Sequence, residues 1–296
     1  MNLPSAFLTR MQEMLGEEYE AFLQSYESGH YQSLRLNPRK TDREEFMEKS
    51  PFHLTPVAWE KNGFYYSEED TPGKHPYHEA GVYYIQEASA MAPVGYLDVQ
   101  PGDYVLDLCA APGGKTILLA EQMQGTGELY SCDAAENRVG LIRTAVDRMG
   151  FTGVHTLCND ATKPNPALPM ADRILTDVPC SGLGILAKKP DLRYKKLEAA
   201  RQAELLATQA AILDTAAALL KAGGRLVYST CTIDPAENQQ QIAAFLQRHP
   251  EFAVCAPDMP LPAGMTAGEH GCLSVPTRTG MDGFFLCVLQ KAAATQ

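Results

Sequence analysis

Apolar positions in this chain follow a helical spacing at first and a strand-and-helix alternation later. From Pro4 to about Tyr26, the residues Phe7, Leu8, Met11, Leu15, Tyr19, Phe22, Leu23 and Tyr26 recur at steps of three and four. That spacing lines up one apolar face, so one or two amphipathic helices are predicted, broken near Gly16. Residues 31 to 80 mix short strand-like runs with Pro38, Pro51, Pro56, Gly63, Pro72, Gly73 and Pro76, which predicts a small α+β unit. From about Tyr83 short apolar runs alternate with helical patterns: strands are predicted at 104–109, 128–133, 154–160, 171–177 and 224–230, and helices starting near 114, 137, 195 and 236. Such alternation builds a parallel, doubly wound sheet with right-handed crossovers. At the end, Cys272–Pro276 and Phe284–Leu289, joined by Thr277 to Gly283, predict a closing antiparallel hairpin. The expected fold is therefore α/β and Rossmann-like, over 83–291, preceded by an α+β unit over 1–82.

Bulk composition narrows the class. A chain of 296 residues with 45% hydrophobic content can bury a large core and carry an appendage. No basic segment followed by an apolar one opens the chain, and no apolar run of roughly 18 residues occurs, so a cytoplasmic protein without membrane contact is expected. The eight cysteines, at 109, 132, 158, 180, 231, 255, 272 and 287, show no CxxC or Cys/His clustering, which argues against a metal site and a disulfide framework. A net charge of −11 is unusual for a nucleic-acid binder, which needs a basic face. Two local clusters run against that average: Lys188, Lys189, Arg193, Lys195, Lys196 and Arg201, and separately Arg35, Arg39, Lys40 and Arg43. Composition alone makes either a solvated surface. The first directly follows a candidate reactive loop at Cys180, and this position favours contact with RNA.

The candidate chemistry starts with a small-residue loop. Val105-Leu106-Asp107-Leu108 reads as a strand, and Cys109, Ala110, Ala111, Pro112, Gly113, Gly114 and Lys115 as the loop and first helical turn after it. Glycine there lets the backbone approach a ligand closely and frees helix-start N–H groups. The ending Gly114-Lys115-Thr116 resembles a phosphate-binding P-loop, but Cys109 stands where that motif needs its first glycine, and G-x-G-x-x-G is absent too. Asp133 ends the second strand, where a carboxylate can accept both ribose hydroxyls. A ribose site without a pyrophosphate site implies S-adenosylmethionine. Asp160, ending the third strand, is placed to receive the adenine amino group, and Asp177 closes the pocket from the fourth. One strand-end Asp is ordinarily a turn former; three on consecutive strands beside a glycine loop point to a site.

Cys180 and Cys231 each follow the end of a predicted parallel strand, in Asp177-Val178-Pro179-Cys180-Ser181-Gly182 and Tyr228-Ser229-Thr230-Cys231-Thr232. If the two strands are neighbours, ~4.8 Å apart, both thiols open into one crevice at the carboxyl edge of the sheet. With the glycine loop, with Glu237-Asn238, and with Leu34-Arg35-Leu36-Asn37-Pro38-Arg39-Lys40 and Tyr84-Ile85-Gln86-Glu87-Ala88-Ser89 nearer the front, these segments resemble the Sun/Nop family of RNA cytosine-5 methyltransferases, most closely its bacterial ribosomal-RNA branch, RsmF. The resemblance covers roughly residues 4 to 290. It implies that Cys231 is the nucleophile, Cys180 assists release, Asp177 binds ring nitrogen 3 with help from Lys115, and the cofactor set comprises residues 109–115 with Asp133, Arg138, Asp160 and Asp177. It also implies methylation of small-subunit ribosomal RNA by a monomer whose 1–82 unit binds RNA, with no metal. DNA enzymes of related chemistry use the Pro-Cys thiol instead, so a thiol at 231 discriminates between the two.

Three positions depart from the family pattern: Ala187 where many members have Arg, and Ser274 and Thr277 where an Arg and a His are common. RsmF-like proteins usually carry a further C-terminal RNA-binding domain, and this sequence stops after the hairpin, so either that domain lies beyond it or another surface or subunit is expected to grip the RNA. Two rival readings are a ribosome-assembly factor that binds RNA without catalysis and a methyltransferase for proteins or small molecules. Loss of Cys231 or of the cofactor acids would favour the first; the second has no need of paired thiols.

Overall fold

The helical spacing at the front forms α1 (Ser5–Leu15) and α2 (Tyr19–Ser25), separated by a 3-10 turn at Gly16–Glu18, in a computed structural model that describes residues 3–25, 31–194, 199–279 and 281–294. Gly16 makes the break because its φ of +53° is left-handed, which a glycine adopts without steric cost. The expected end of this segment at Tyr26 lies outside the described residues. Phe7, Met11 and Phe22 bury against Leu183, Leu186 and Ile233, so these helices brace the loop after Cys180.

The next stretch is the expected small α+β unit: β1 (Gln32–Leu36), α3 (Arg43–Lys49), β2 (Leu54–Pro56), β3 (Gly63–Tyr66), α4 (Pro76–Glu79) and β4 (Tyr83–Ile85). Its four strands run antiparallel in the order β2-β3-β1-β4. Asp42 caps α3 by accepting the Glu45 N–H at 2.7 Å. β4 pairs antiparallel with β1, Leu34 opposite Ile85.

The remainder comprises α5 (Ala88–Leu97), β5 (Tyr104–Asp107), α6 (Gly114–Gln122), β6 (Glu128–Asp133), α7 (Glu136–Met149), β7 (Val154–Cys158), β8 (Ala171–Asp177), α8 (Ala199–Leu219), β9 (Leu220–Thr230), α9 (Gln239–Arg248), β10 (Phe252–Cys255), β11 (Thr266–Gly268), β12 (Gly271–Ser274), α10 (Pro276–Thr279) and β13 (Phe284–Lys291). Strands β7-β6-β5-β8-β9 are parallel neighbours, and β13 joins β9 antiparallel. The predicted hairpin forms, with Cys272 opposite Leu286. β10 shares the outer edge of β13, a pairing the sequence pattern did not indicate. The helix start expected near 195 lies outside the described residues, and α8 is described from Ala199 onward. Helix α9 begins at Gln239 instead of 236 because the intervening side chains are engaged by the site.

The strands read as continuous apolar runs because both faces of the sheet are covered. Val105 and Val227 belong to the cluster on the α5, α6 and α7 face, while Leu106, Leu226 and Tyr228 belong to the cluster under α8 and α9. The sheet's direction of growth reverses between β5 and β8, where folds of this kind bind ligands.

Of the Arg35 to Arg43 cluster only Arg35 is buried; Arg39 and Lys40 are exposed and Arg43 is half-buried, yet each has a partner. Arg35 is 0% exposed, pairs with Glu121 of α6 and donates to Gln86 Oε1 at 3.1 Å. Lys40 donates to the Ala80 and Arg148 carbonyls, while Arg39 and Arg43 lie over the Phe151 and Phe64 rings. Arg35, Arg39 and Lys40 thereby join the first unit to the second, while Arg43 stays within the first. Arg35→Ala strands Glu121 in a buried position and is expected to lower unfolding free energy by about 3–5 kcal/mol, measured by urea denaturation; the double variant with Glu121→Ala is expected to lose less than the sum of the two single changes.

Candidate active site

Parallel pairing of β8 with β9 sets Asp177 opposite Ser229. The chain leaves both strands in the same direction, and the Val178 N–H still reaches the Ser229 carbonyl at 3.1 Å. Three residues further on, Cys180 meets Cys231, their Sγ atoms 3.2 Å apart. A third loop locks this arrangement: Gly184 N–H donates to the Cys231 carbonyl at 3.0 Å, and Gly283 N–H to the Gly184 carbonyl at 2.8 Å. A Cβ on Gly184 would lie 2.0 Å from the Gly283 oxygen, so no other residue fits there. Both thiols are partly buried. The hydrogen bond with Cys231, and then burial, raise the Cys180 thiol well above its usual value and keep it protonated.

Beside the thiols stands Asp177. Its Oδ2 receives the Lys115 ammonium at 2.7 Å and its Oδ1 the Ser229 hydroxyl at 2.7 Å. Burial alone would lower the Lys115 pKa, but the Asp177 carboxylate outweighs it and the pKa is raised, so the lysine stays cationic. The ammonium also lies 5.7 Å from the centre of the Phe284 ring.

The small-residue loop runs from β5 into α6, and Gly113 takes a φ of +110° at the helix start, where no side chain caps α6. Helix-start N–H groups of this kind suit an anionic group of a ligand. Asp133 is 3% exposed; Arg138 pairs with it at 3.0 Å and donates to the Ala111 carbonyl at 3.2 Å, tying the acid to the loop. A carboxylate keeps further lone pairs for ribose hydroxyls in such a setting. Asp160 is different. Its carboxylate caps its own turn through Thr162 and pairs with Lys163 at 2.9 Å, and these contacts hold its pKa down at about 2. Cys109 packs against the core, and burial raises its thiol well above the usual range, so it is no nucleophile.

A family model described as "16S rRNA methyltransferase RsmB/F" matches residues 94–290, and one for the N-terminal domain of RsmF matches residues 3–88. This chain belongs to the RsmB/F family. Family members use S-adenosylmethionine. Similar curated proteins include the "Probable ribosomal RNA small subunit methyltransferase B" of Bacillus subtilis, 38% identical over 88% of this chain and 60% of its own length. The ribosomal RNA small subunit methyltransferase F of Erwinia tasmaniensis is 34% identical over 98% of this chain and 64% of its own length. The RsmB/F chain described here thus spans about 60% of the length of such relatives. Among solved structures, a methyltransferase homolog protein from Pyrococcus horikoshii superposes with a TM-score of 0.82 at 27% identity, covering 98% of this chain and 100% of its own.

Within this RsmB/F chain the described cations of the basic stretch after Cys180 differ in their surroundings. Lys188 is exposed but paired with Glu87 and Asp282, and Arg193 is buried and donates to the Leu186 carbonyl at 2.8 Å. Lys195 and Lys196 lie outside the described residues, while Lys189 and Arg201 are exposed. The three departing positions are absorbed internally: Thr277 donates to Glu18 at 3.0 Å, Ser274 meets Thr279 at 3.0 Å, and Ala187 is half-buried beside the Leu186 carbonyl that Arg193 reaches. A cavity of about 550 Å³ opens on the outer side of Cys180, walled by α1, α8 and Tyr194.

Sequence reasoning assigned no role to Asp107, Ser229, Gln209 or Glu237. Asp107, Ser229 and Glu237 stood inside motifs without a role of their own, and Gln209 carried no signal at all. Asp107 is fully buried, accepts the Thr116 hydroxyl at 2.8 Å on Oδ2, and leaves Oδ1 without a partner among the described residues. Burial, opposed by that hydrogen bond, pushes its pKa from 3.8 to about 7. A carboxyl whose folded pKa is raised contributes most at low pH and loses that contribution as pH climbs from about 4 to about 7. Asp107→Asn keeps the acceptor without the charge. Relative to the variant, the wild type is expected to lose about 2–4 kcal/mol of stability across this range, followed by urea unfolding at each pH.

Proposed function

We propose that this chain transfers a methyl group to carbon 5 of a cytosine in RNA, most specifically small-subunit ribosomal RNA, through a covalent cysteine adduct. The observation that carries this reading is the pair of thiols 3.2 Å apart next to an Asp177–Lys115 ion pair, at the carboxyl edge of a methyltransferase sheet. Methylation of an oxygen or an exocyclic nitrogen needs no thiol at all.

Carbon 5 of cytosine is too electron-poor to attack a methyl sulfonium unaided, so a nucleophile must first add to carbon 6. A thiolate does this at neutral pH. In this reading Cys231 is the nucleophile, as the family resemblance implies, and Cys180, whose protonated form the Cys231 hydrogen bond and burial favour, is the acid of the pair. In the proposed sequence the Cys231 sulfur bonds to carbon 6 and ring electron density shifts to carbon 5. Asp177 meets the base at ring nitrogen 3, and the Lys115 ammonium steadies both the carboxylate and the charge gathering on the ring. Bound S-adenosylmethionine supplies the methyl group. Cys180 then donates its proton to the departing sulfur of Cys231 and takes up the proton from carbon 5. The carbon 6–sulfur bond breaks as the ring double bond returns, and both thiols end protonated.

The loop of residues 109–115 and the Asp133–Arg138 pair would hold the cofactor, with the buried carboxylate on the ribose. The target base has to leave its stack to reach thiols set in a crevice. In this reading the unit ahead of α5 presents the RNA, and exposed Lys189 and Arg201 meet its backbone near Cys180.

Isothermal titration with S-adenosylmethionine is expected to show binding weakened by ~1–3 kcal/mol in Asp133→Ala, the range for leaving polar groups without a partner; unchanged affinity would move the ribose site elsewhere. The two thiols are separated by their failures. Cys231→Ala is expected to abolish both methyl transfer and adduct formation. Cys180→Ala is expected to attack and methylate but not release, leaving a protein–RNA species stable on denaturing gels. The reverse pattern would assign this chain the DNA-type mechanism, and bisulfite mapping of the RNA identifies the base.

A further inference from the structure

Two consecutive residues between β9 and α9 each bracket one of the thiols. Asn238, fully buried, donates from Nδ2 to the Thr232 carbonyl at 2.9 Å and accepts the Thr230 hydroxyl at 2.6 Å, so it grips both neighbours of Cys231. Glu237, also fully buried, accepts the Ser181 N–H at 2.8 Å and the Gln209 Nε2 at 2.9 Å through one oxygen. Gln209 projects from α8 and donates from the same nitrogen to the Pro179 carbonyl at 3.0 Å. Both neighbours of Cys180 are thereby held, Ser181 directly and Pro179 through Gln209. The loops are tied to one another as well, by the Ser181 and Thr232 hydroxyls at 2.8 Å.

We infer that Glu237 is a positioning residue for the release step: with Gln209 it holds the Cys180 sulfur against that of Cys231, in the proton-bearing form that breaking the adduct requires. The inference rests on the covalent reading above. Three observations support it. A carboxylate is an unsuitable group for mere packing here, because its second oxygen, Oε1, is buried without a hydrogen-bond partner among the described residues. Buried charges of this kind are commonly replaceable by apolar groups without loss of stability, so a role outside stability accounts for one better. Its negative charge also adds to the influences, led by the Cys231 hydrogen bond, that keep the proton on Cys180. Finally, the backbone of the Tyr228–Glu237 turn is pinned by the Tyr228 hydroxyl on the Glu237 carbonyl at 2.6 Å, which fixes the glutamate in place whatever its side chain does.

The test follows adduct and product together, using the full chain, S-adenosylmethionine and an unmodified small-subunit ribosomal RNA transcript. Cys180→Ala serves as the reference for a blocked release. Glu237→Ala is expected to accumulate the same gel-stable adduct and to slow turnover by about 100-fold, as a misplacement on the scale of an ångström does, while S-adenosylmethionine affinity stays within about twofold of wild type. Glu237→Gln keeps an acceptor for Ser181 and is expected to fall between the two. The inference is overturned if Cys180→Ala traps adduct and neither Glu237 variant does. It is equally overturned if both variants lose adduct formation and cofactor affinity together, which marks a purely structural role. If Cys180→Ala traps nothing, the covalent reading itself falls and takes the inference with it.

Discussion

The parallel backbone pairing of β8 with β9 governs where reactive groups can stand in this molecule. Cys231 stands one residue and Cys180 three residues beyond its strand, so the interstrand spacing of ~4.8 Å keeps them close before any side-chain contact is made. Residue-level register then decides which side chains share the crevice. With Asp177 opposite Ser229, the serine hydroxyl steadies the carboxylate and Cys180 comes level with Cys231. Since the side-chain period of a strand is two, a slip by one residue would send Asp177 into the opposite face.

Holding irregular loops at a sheet edge is the harder problem, because their backbone groups have no ladder to join. Here the glycine contacts at Gly184 and Gly283 and the Glu237, Asn238 and Gln209 side chains satisfy them. The N-terminal helices add an apolar brace on Leu183 and Leu186. The first unit is therefore part of the site's support, and the Arg35–Glu121 pair is the buried tie that joins it to α6, the helix that carries Lys115.

The two thiols differ in their surroundings. The hydrogen bond with Cys231, burial and the nearby Glu237 charge all favour the protonated form of Cys180, while the Lys115 ammonium feels the charge of Cys231. In the proposed mechanism that difference gives two identical side chains an order of use.

Much of this was legible in the sequence by itself. Buried parallel strands announce themselves as short apolar runs, and a glycine loop followed by strand-end acids keeps its spacing whatever the tertiary detail, so the sheet, the loop of residues 109–115 and the pairing of Cys180 with Cys231 could be read directly. Charge could not. Lys188, Arg35 and Lys40 look like solvated cations along the chain, yet Glu87, Asp282, Glu121 and the Ala80 and Arg148 carbonyls, all far away in sequence, pair with them. Asp160, expected to end the third strand, lies two residues beyond β7, and local hydrogen bonds within its turn engage its carboxylate. Glu237 and Gln209, separated from Cys180 by many residues, acquire their role only when α8 and the β9–α9 turn close over the loop. Local periodicity and spacing are properties of the covalent chain and survive in one dimension; the partner of a buried charge is set by which distant segments pack together, and only the folded molecule decides that.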